Sequence, residues 1–288
     1  MSNGIPFIKM HGLGNDYVYI DTTISAAPDP ETLAQRMSDR HFGIGSDGLV
    51  LIMPSHVADA RMRIFNADGS EATMCGNALR CIAKYVMEHR IGSYRPVSIE
   101  TPAGVRQAEP RLANGRLVGI TIAMGHPEFA AGQVPVVAPD SEFIASELDV
   151  TGAGIRWTAV SVGNPHVVTF DLDPAVHAGT TGPKIEWHPR FPARVNVNFA
   201  QISSRTEIVL RVWERGSGLT LACGSGATAT FAAARRLGLV EARATVILPG
   251  GSLLIEEQLD GALLMTGPAT AVFAGTWWDE EAGTLYKP

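Results

Sequence analysis

Several things are scarce in this chain of 288 residues. It has three cysteines, Cys75, Cys81 and Cys223, which cannot all pair within one chain. None belongs to a Cys-x-x-Cys pair or to a Cys/His zinc spacing, so no disulfide framework and no metal site is expected. Free thiols in a reduced, cytoplasmic setting fit best. Lys and Arg number 23 against 29 Asp and Glu, a net charge of −6, and no basic run is long enough to track a phosphate backbone. Nucleic acid is therefore not an expected partner. No apolar stretch reaches the ~20 residues of a membrane span, and the start MSNGIPFIKMHG lacks the apolar run of a secretory signal, so no membrane partner is expected either. A Gly-rich phosphate loop of the dinucleotide type is missing, as is a lysine placed for a Schiff base; no cofactor is expected.

What is present points to a strand-rich globular protein. Hydrophobic residues make up 45%, enough for two cores, and 30 glycines with 18 prolines imply many tight turns. Residues 5–21 read as two strands broken at Gly12–Gly14. Asp29 and Pro30 form an N-cap and first helical position, with Leu33 and Met37 on one face of a short helix. GLVLIM from Gly48 and ARMRIFN from Ala60 read as strands. After Cys75, the spacing of Leu79, Ile82, Ala83, Val86 and Met87 predicts a helix with one buried face, and Cys81 falls inside it as a packed small hydrophobe. Short strands follow, with Asn114-Gly115 as a hairpin turn. The Pro/Gly-punctuated run from His126 to Asp140 reads as a crossing between halves, and a short helix bearing Phe143, Ile144 and Leu148 is expected after Asp140.

The second half repeats the first. RIFNADGSEATMCGN from Arg63 and RVWERGSGLTLACGS from Arg211 both place a cysteine twelve positions after an arginine and directly before a helix. GNDYV at Gly14 matches GNPHV at Gly163 with an offset of 149, against 148 for the cysteines. Two separate segment pairs sharing almost one offset imply a duplicated domain. Strands from Arg194 and Glu207 follow, then a small-residue helix after Cys223 and further strands to the end.

Three readings of the matched cysteines compete: buried thiols related only by descent, a redox pair, or a two-base active site. The third accounts for the symmetry. Inverting a stereocentre needs an acid and a base on opposite faces, and twofold placement of identical thiols supplies both. If the halves meet along a cleft, Cys75 and Cys223 face each other across it. A helix N-terminus lowers a thiol toward working pH, and the backbone at Gly76-Asn77 and Gly224-Ser225 can present N–H groups to a substrate carboxylate.

KMHGLGNDYV, FNADGSEATMCGN, GNPHVV and WERGSGLTLACGSGA, in this order, resemble the diaminopimelate epimerase family. The resemblance implies an α/β fold of two pseudo-symmetric domains, each a strand-rich barrel-like sheet around a central helix. The domains are expected at 1–124 with a returning strand at 271–288, and at 125–270. It also implies cofactor-independent epimerisation of LL- to meso-diaminopimelate in lysine and peptidoglycan precursor synthesis, by a homodimer, with Cys75 and Cys223 as the acid–base pair. Asn15, Asn66, Asn164 and Asn196 match substrate-binding residues, and Glu214-Arg215 matches the pair holding the unreactive end. That fits a diamino diacid, whose distal carboxylate suits Arg215 and whose distal ammonium suits Glu214. His166 and Glu214 match residues that tune the cysteines. Two departures stand out: Leu219 in Gly218-Leu219-Thr220 where the family often has glutamate, and Gly48 where some members carry a substrate-touching glutamine. The alternatives are a racemase of the same fold acting on proline, hydroxyproline or histidine, and, in another class, a thiol redox switch or non-catalytic binding protein.

Overall fold

The computed structural model describes residues 4–148, 150 and 154–278; residues 1–3 and 279–288 of the expected N-terminal domain lie outside them. The chain opens with β1 (Ile5–Gly12) and β2 (Asn15–Asp21), antiparallel, with Gly12 opposite Asn15. Leu13 and Gly14 between them have φ of 59° and 86°, the left-handed pair of a tight hairpin. In α1 (Pro30–Ser38) the N-cap Asp29 accepts the N–H of Thr32. This helix links β2 to the parallel β3 (Gly48–Met53), which runs antiparallel to β4 (Ala60–Asn66). The two-residue β5 (Glu71–Ala72) precedes α2 (Gly76–Tyr85), which continues into a π-helical turn over Val86–Ile91. All five apolar residues predicted to share a face of this helix are 1% exposed or less. Then β6 (Val97–Thr101), parallel to β4, enters the hairpin of β7 (Gly104–Ala113) and β8 (Arg116–Gly125). Its turn residues Asn114 and Gly115 both have positive φ, as the sequence required.

The second half follows the same plan. β9 (Ser146–Leu148) flanks β10 (Ile155–Ser161), which is antiparallel to β11 (Pro165–Thr169). After α3 (Pro174–Glu186) comes β12 (Asn196–Ser204), parallel to β11, and its antiparallel neighbour β13 (Glu207–Glu214). β14 (Gly218–Leu219) leads to α4 (Gly224–Arg236). β15 (Arg243–Leu248), parallel to β13, begins a meander through β16 (Gly251–Glu257) and β17 (Leu263–Gly267). β18 (Thr270–Trp277) then returns to pair with β1, as β9 pairs with β10. Strand, strand, helix, strand, strand, short strand, helix, three strands is the order in both halves. Backbone contacts divide the chain into Met1–Ile122 with Pro268–Pro288, and Ala123–Gly267.

In the second unit α4 packs on β10–β13 and β15–β17. Its alanines, glycines and threonines allow that enclosure, and ten of its thirteen residues are buried. In the first, α2 packs on β1, β6 and β7. Among the described residues no helix is long and apolar enough to cross a membrane.

One expectation is corrected, and one element was missed. The helix expected after Asp140 is absent: Ala145 has φ of 44°, and Ser146–Leu148 pair with β10 instead. Phe143 is buried there by extended chain, its carbonyl accepting the N–H of Ala159, so strand pairing supplies the burial that suggested a helix. Conversely, α3 was not anticipated. Gly179, Gly182 and Pro183 hide its pattern, yet Asp173 caps it through the N–H of Ala175 at 2.8 Å and Pro174 opens it. Gly182 is needed because a Cβ there would sit 2.6 Å from Cβ of Trp213.

Candidate active site

Each unit builds a helix start around a cysteine. Cys75 and Cys223 occupy the N-cap positions of α2 and α4 with nearly the same extended backbone, φ/ψ of −144°/118° and −130°/106°. The first intrahelical bonds run from Leu79 N to Cys75 O and from Ala227 N to Cys223 O, both 2.9 Å. The N–H groups of Gly76, Asn77, Gly224 and Ser225 thus belong to first turns, where no intrahelical acceptor exists and the helix dipole is positive.

In the first unit Asn15, Cys75, Gly76 and Asn77 come together. The Cys75 sulfur lies 3.5 Å from Asn15 Oδ1, and Asn77 Nδ2 donates to the same oxygen at 3.1 Å. Asn66 makes a separate bond, its Nδ2 donating to Ser70 Oγ at 2.9 Å at the end of β4. Cys81 is fully buried in α2, and burial pushes its thiol up to about 11, a packed residue as expected.

In the second unit Asn164, His166, Asn196, Glu214, Arg215, Cys223, Gly224 and Ser225 converge. Cys223 accepts the N–H of Gly226 at 3.3 Å and lies 3.6 Å from Ser225 Oγ. Asn164 Nδ2 donates to Ser225 Oγ at 3.4 Å. Asn196 Oδ1 accepts the backbone N–H of Arg215 at 2.9 Å, and the Arg215 guanidinium donates to Ala193 O at 2.9 Å. Glu214 Oε1 accepts the hydroxyl of Thr220 at 2.5 Å. The helix start does not decide the charge of Cys223. Burial, and then the Glu214 carboxylate, push its thiol well above the ordinary range against the bonds from Ser225 and Gly226. Among the described residues no three His, Cys, Asp or Glu side chains gather as a metal cluster.

The model of the family described as diaminopimelate epimerase matches residues 7–130 and 158–272. Relatives called diaminopimelate epimerase include one from Methanococcus maripaludis, 45% identical over 93% of this chain and 98% of its own length. Another, from Pelotomaculum thermopropionicum, is 47% identical over 94% and 98%. This chain belongs to the diaminopimelate epimerase family. It is an isomerase. Among solved structures it resembles a hydroxyproline epimerase from Agrobacterium vitis (TM-score 0.68, 15% identity, 99% of this chain and 95% of that one). A probable proline racemase from Agrobacterium radiobacter is equally similar (TM-score 0.69, 16% identity, 94% and 92%). These two share the fold.

Both departures from this epimerase family's pattern acquire a physical meaning. A Cβ at Gly48 would collide with the carbonyl oxygen of Phe65 on β4, so the strand pairing leaves room there for glycine alone. Leu219 is exposed on β14, and the side chain meeting Glu214 at this turn is that of Thr220. Three further residues were not legible as parts of the site. Buried Glu186, at the end of α3, accepts from Trp213 Nε1 at 2.7 Å and from the N–H of Gly216 at 3.0 Å, so it braces the turn that carries Glu214 and Arg215. Asp47 and Arg80 bond Asn15 and Asn77. None of the three stands in a motif with the cysteines; only α3, itself concealed, would have pointed to Glu186.

His166 is fully buried, with Nε2 3.0 Å from Asn164 Oδ1 and Nδ1 3.2 Å from Asn198 Nδ2. Asn164 turns its Nδ2 to Ser225, so its oxygen faces the ring: Nε2 carries the proton and Nδ1 accepts. His166 thus reaches Cys223 through Asn164 and Ser225. Burial, opposed by the Asn198 bond and aided by the charge of Arg215, brings its pKa down to about 3. The unfolded chain takes up that proton near pH ~6.5. The folding stability tied to this group is whole above pH ~6.5, falls by about 1.4 kcal/mol per unit as pH drops from there toward 3, and changes no further below. Urea unfolding followed against pH tests this: His166→Gln should flatten that acid limb. A His166 ring proton that titrates near pH 6–7 by NMR contradicts it.

Proposed function

We propose that this enzyme epimerises LL-diaminopimelate to meso-diaminopimelate, without a cofactor, in the lysine and peptidoglycan precursor route. The observation that carries the proposal is the repeated half-site, a cysteine at the same N-cap position of each central helix, in a chain of this family. One cysteine, as thiolate, takes the α-proton; the other, as thiol, delivers a proton to the opposite face of the same carbon. Serving both directions requires that the two exchange these roles at each turnover, which two identical groups do without a mismatch in strength.

The α-carboxylate is received by the first-turn N–H groups of Gly76, Asn77, Gly224 and Ser225. These donors stabilise the charge that moves onto the carboxylate as the proton leaves. Asn15, Asn66, Asn164 and Asn196 offer amides to the substrate's polar groups. Arg215 binds the distal carboxylate and Glu214 the distal ammonium. Cys223, kept protonated by burial and by Glu214, enters the reaction as the thiol that delivers the proton. His166, neutral throughout the working range, holds Asn164 and, through it, Ser225. A homodimer in the cytoplasm is part of the same reading; the exposed, apolar β18, with Val272 and Phe273 outward, supplies a strand for a second copy.

The test is incubation of LL-diaminopimelate with the enzyme in heavy water, without added cofactor. The expected product is meso-diaminopimelate with one deuterium at one α-carbon. Inactivity on this substrate beside turnover of proline, 4-hydroxyproline or histidine overturns the assignment, as does a requirement for pyridoxal phosphate. A monomer mass in sedimentation removes the dimer.

A further inference from the structure

Arg80 is the one arginine of α2 and is fully buried. Its Nη2 donates to Asn77 Oδ1 at 2.6 Å, its Nη1 to Gly76 O at 3.3 Å, and its Nε to Pro268 O at 3.1 Å. A Cβ at Gly12 would stand 2.8 Å from that Nη2 and 3.0 Å from Asn77 Cβ, so the β1–β2 turn leaves space for this arrangement. Asp47, at the foot of β3, accepts from Asn15 Nδ2 at 2.8 Å and from the N–H of Asp16 at 3.1 Å through Oδ2, and from Arg40 at 2.9 Å through Oδ1. Arg40 also bonds Asp16, which pairs in turn with Lys9.

The two ends of this row are chemically unambiguous. A guanidinium only donates, and a carboxylate only accepts. Arg80 therefore requires the oxygen of the Asn77 amide, which sends Asn77 Nδ2 toward Asn15. Asp47 requires the nitrogen of the Asn15 amide, which sends Asn15 Oδ1 toward Asn77. The middle bond, from Asn77 Nδ2 to Asn15 Oδ1 at 3.1 Å, satisfies both demands at once. Reversing either amide sets two donors or two acceptors face to face. Cys75 lies against Asn15 Oδ1, an atom that can only accept, so the bond between them uses the thiol proton.

We propose that Asp47 and Arg80 are positioning residues that fix the polarity of the Asn15–Asn77 amide pair and so keep Cys75 facing a hydrogen-bond acceptor. In the two-base reading, on which this inference rests for its catalytic meaning, the relay keeps Cys75 protonated, as Cys223 is, until substrate arrives. When substrate displaces Asn15 Oδ1 from the sulfur, that preference is lifted.

The test reads the thiol directly and needs no substrate, so the relay and the epimerase reading fail separately. In a Cys223→Ala background, with Cys81 buried, iodoacetamide labelling of Cys75 is followed by peptide mass against pH. The titratable neighbours of Cys75 are Tyr17 and Tyr19 on β2 and Arg80 and Cys81 on α2; of these Tyr17 also feels the charge of Asp47, an effect that Asp47→Asn shares with Asp47→Ala and so controls for. Asp47→Ala frees the Asn15 amide to turn its Nδ2 to the sulfur. Labelling at pH 7 then rises about fivefold, the worth of one exchanged hydrogen bond, and the profile moves to lower pH. Asp47→Asn removes the charge but keeps an oxygen for Asn15 Nδ2, and restores the parent profile. Equal acceleration in both variants assigns the effect to charge and overturns the relay; no acceleration in Asp47→Ala also overturns it. Asp47 is partly exposed, so these variants fold. At the buried end, Arg80→Lys keeps a donor for Asn77 and preserves the slow labelling that Arg80→Met loses.

Discussion

Cys75→Ala and Cys223→Ala each lower turnover by a factor of about 10²–10⁴, the usual worth of one acid–base group, while substrate affinity changes little. The two sites differ in what else the sulfur does. Cys223 caps its helix by accepting the N–H of Gly226, whereas Cys75 makes no side-chain cap bond. Alanine at 223 therefore costs about 1 kcal/mol of stability as well. Serine at 223 keeps the cap, because its hydroxyl can accept the same N–H, but it ionises far too weakly to serve as the base. Cys223→Ser is thus expected to melt near the parent temperature and to be inactive, which separates folding from chemistry. Kinetics on LL-diaminopimelate with thermal melts on the four alanine and serine variants provide the check. Full turnover by any single variant ends the two-base mechanism.

What could be read from the sequence follows from how local each signal is. The helices behind Cys75 and Cys223, the Asn114-Gly115 hairpin and the duplication all rest on periodicity, turn chemistry or spacing within a short window, and those elements stand where the residues placed them. The segment 140–148 and α3 went the other way for one reason. In both, a tertiary partner overrides the local pattern: β10 draws Ser146–Leu148 into a strand, and the Trp213 indole packs so closely on α3 that glycine is required at 182. The candidate site residues were legible where a motif carries them. Asp47, Arg80 and Glu186 were not: Asp47 and Glu186 bond Asn15 and Trp213 only across long sequence separations, and Arg80, though three residues from Asn77, is an arginine whose full burial no local pattern announces. Charge balance was illegible too. A helix start suggests an acidified thiol, yet at Cys223 burial and Glu214 outweigh it. No spacing rule reveals how deeply a residue will be buried.

Recognition of the distal end yields the second large effect. One N–H of the Arg215 guanidinium is committed to Ala193 O, and the backbone at Arg215 is fixed by Asn196 Oδ1 while Glu186 holds the next residue, Gly216. A guanidinium has five donors, so this anchoring still permits a two-point grip on a carboxylate. Arg215→Met removes both charge and fork; losing charge-assisted bonds worth about 3 kcal/mol lowers kcat/KM by about 10²-fold, chiefly through KM. Arg215→Lys keeps the charge without the fork and is expected to fall between, about tenfold down. The decisive comparison uses a second substrate. For a diamino acid lacking the distal carboxylate, such as lysine, the parent enzyme has no partner for the guanidinium, so Arg215→Met should leave its weak α-proton exchange almost unchanged. Equal losses on both substrates would mean that Arg215 supports the fold of the turn rather than the distal carboxylate. An unchanged KM for LL-diaminopimelate in Arg215→Met would place the recognition of that end elsewhere.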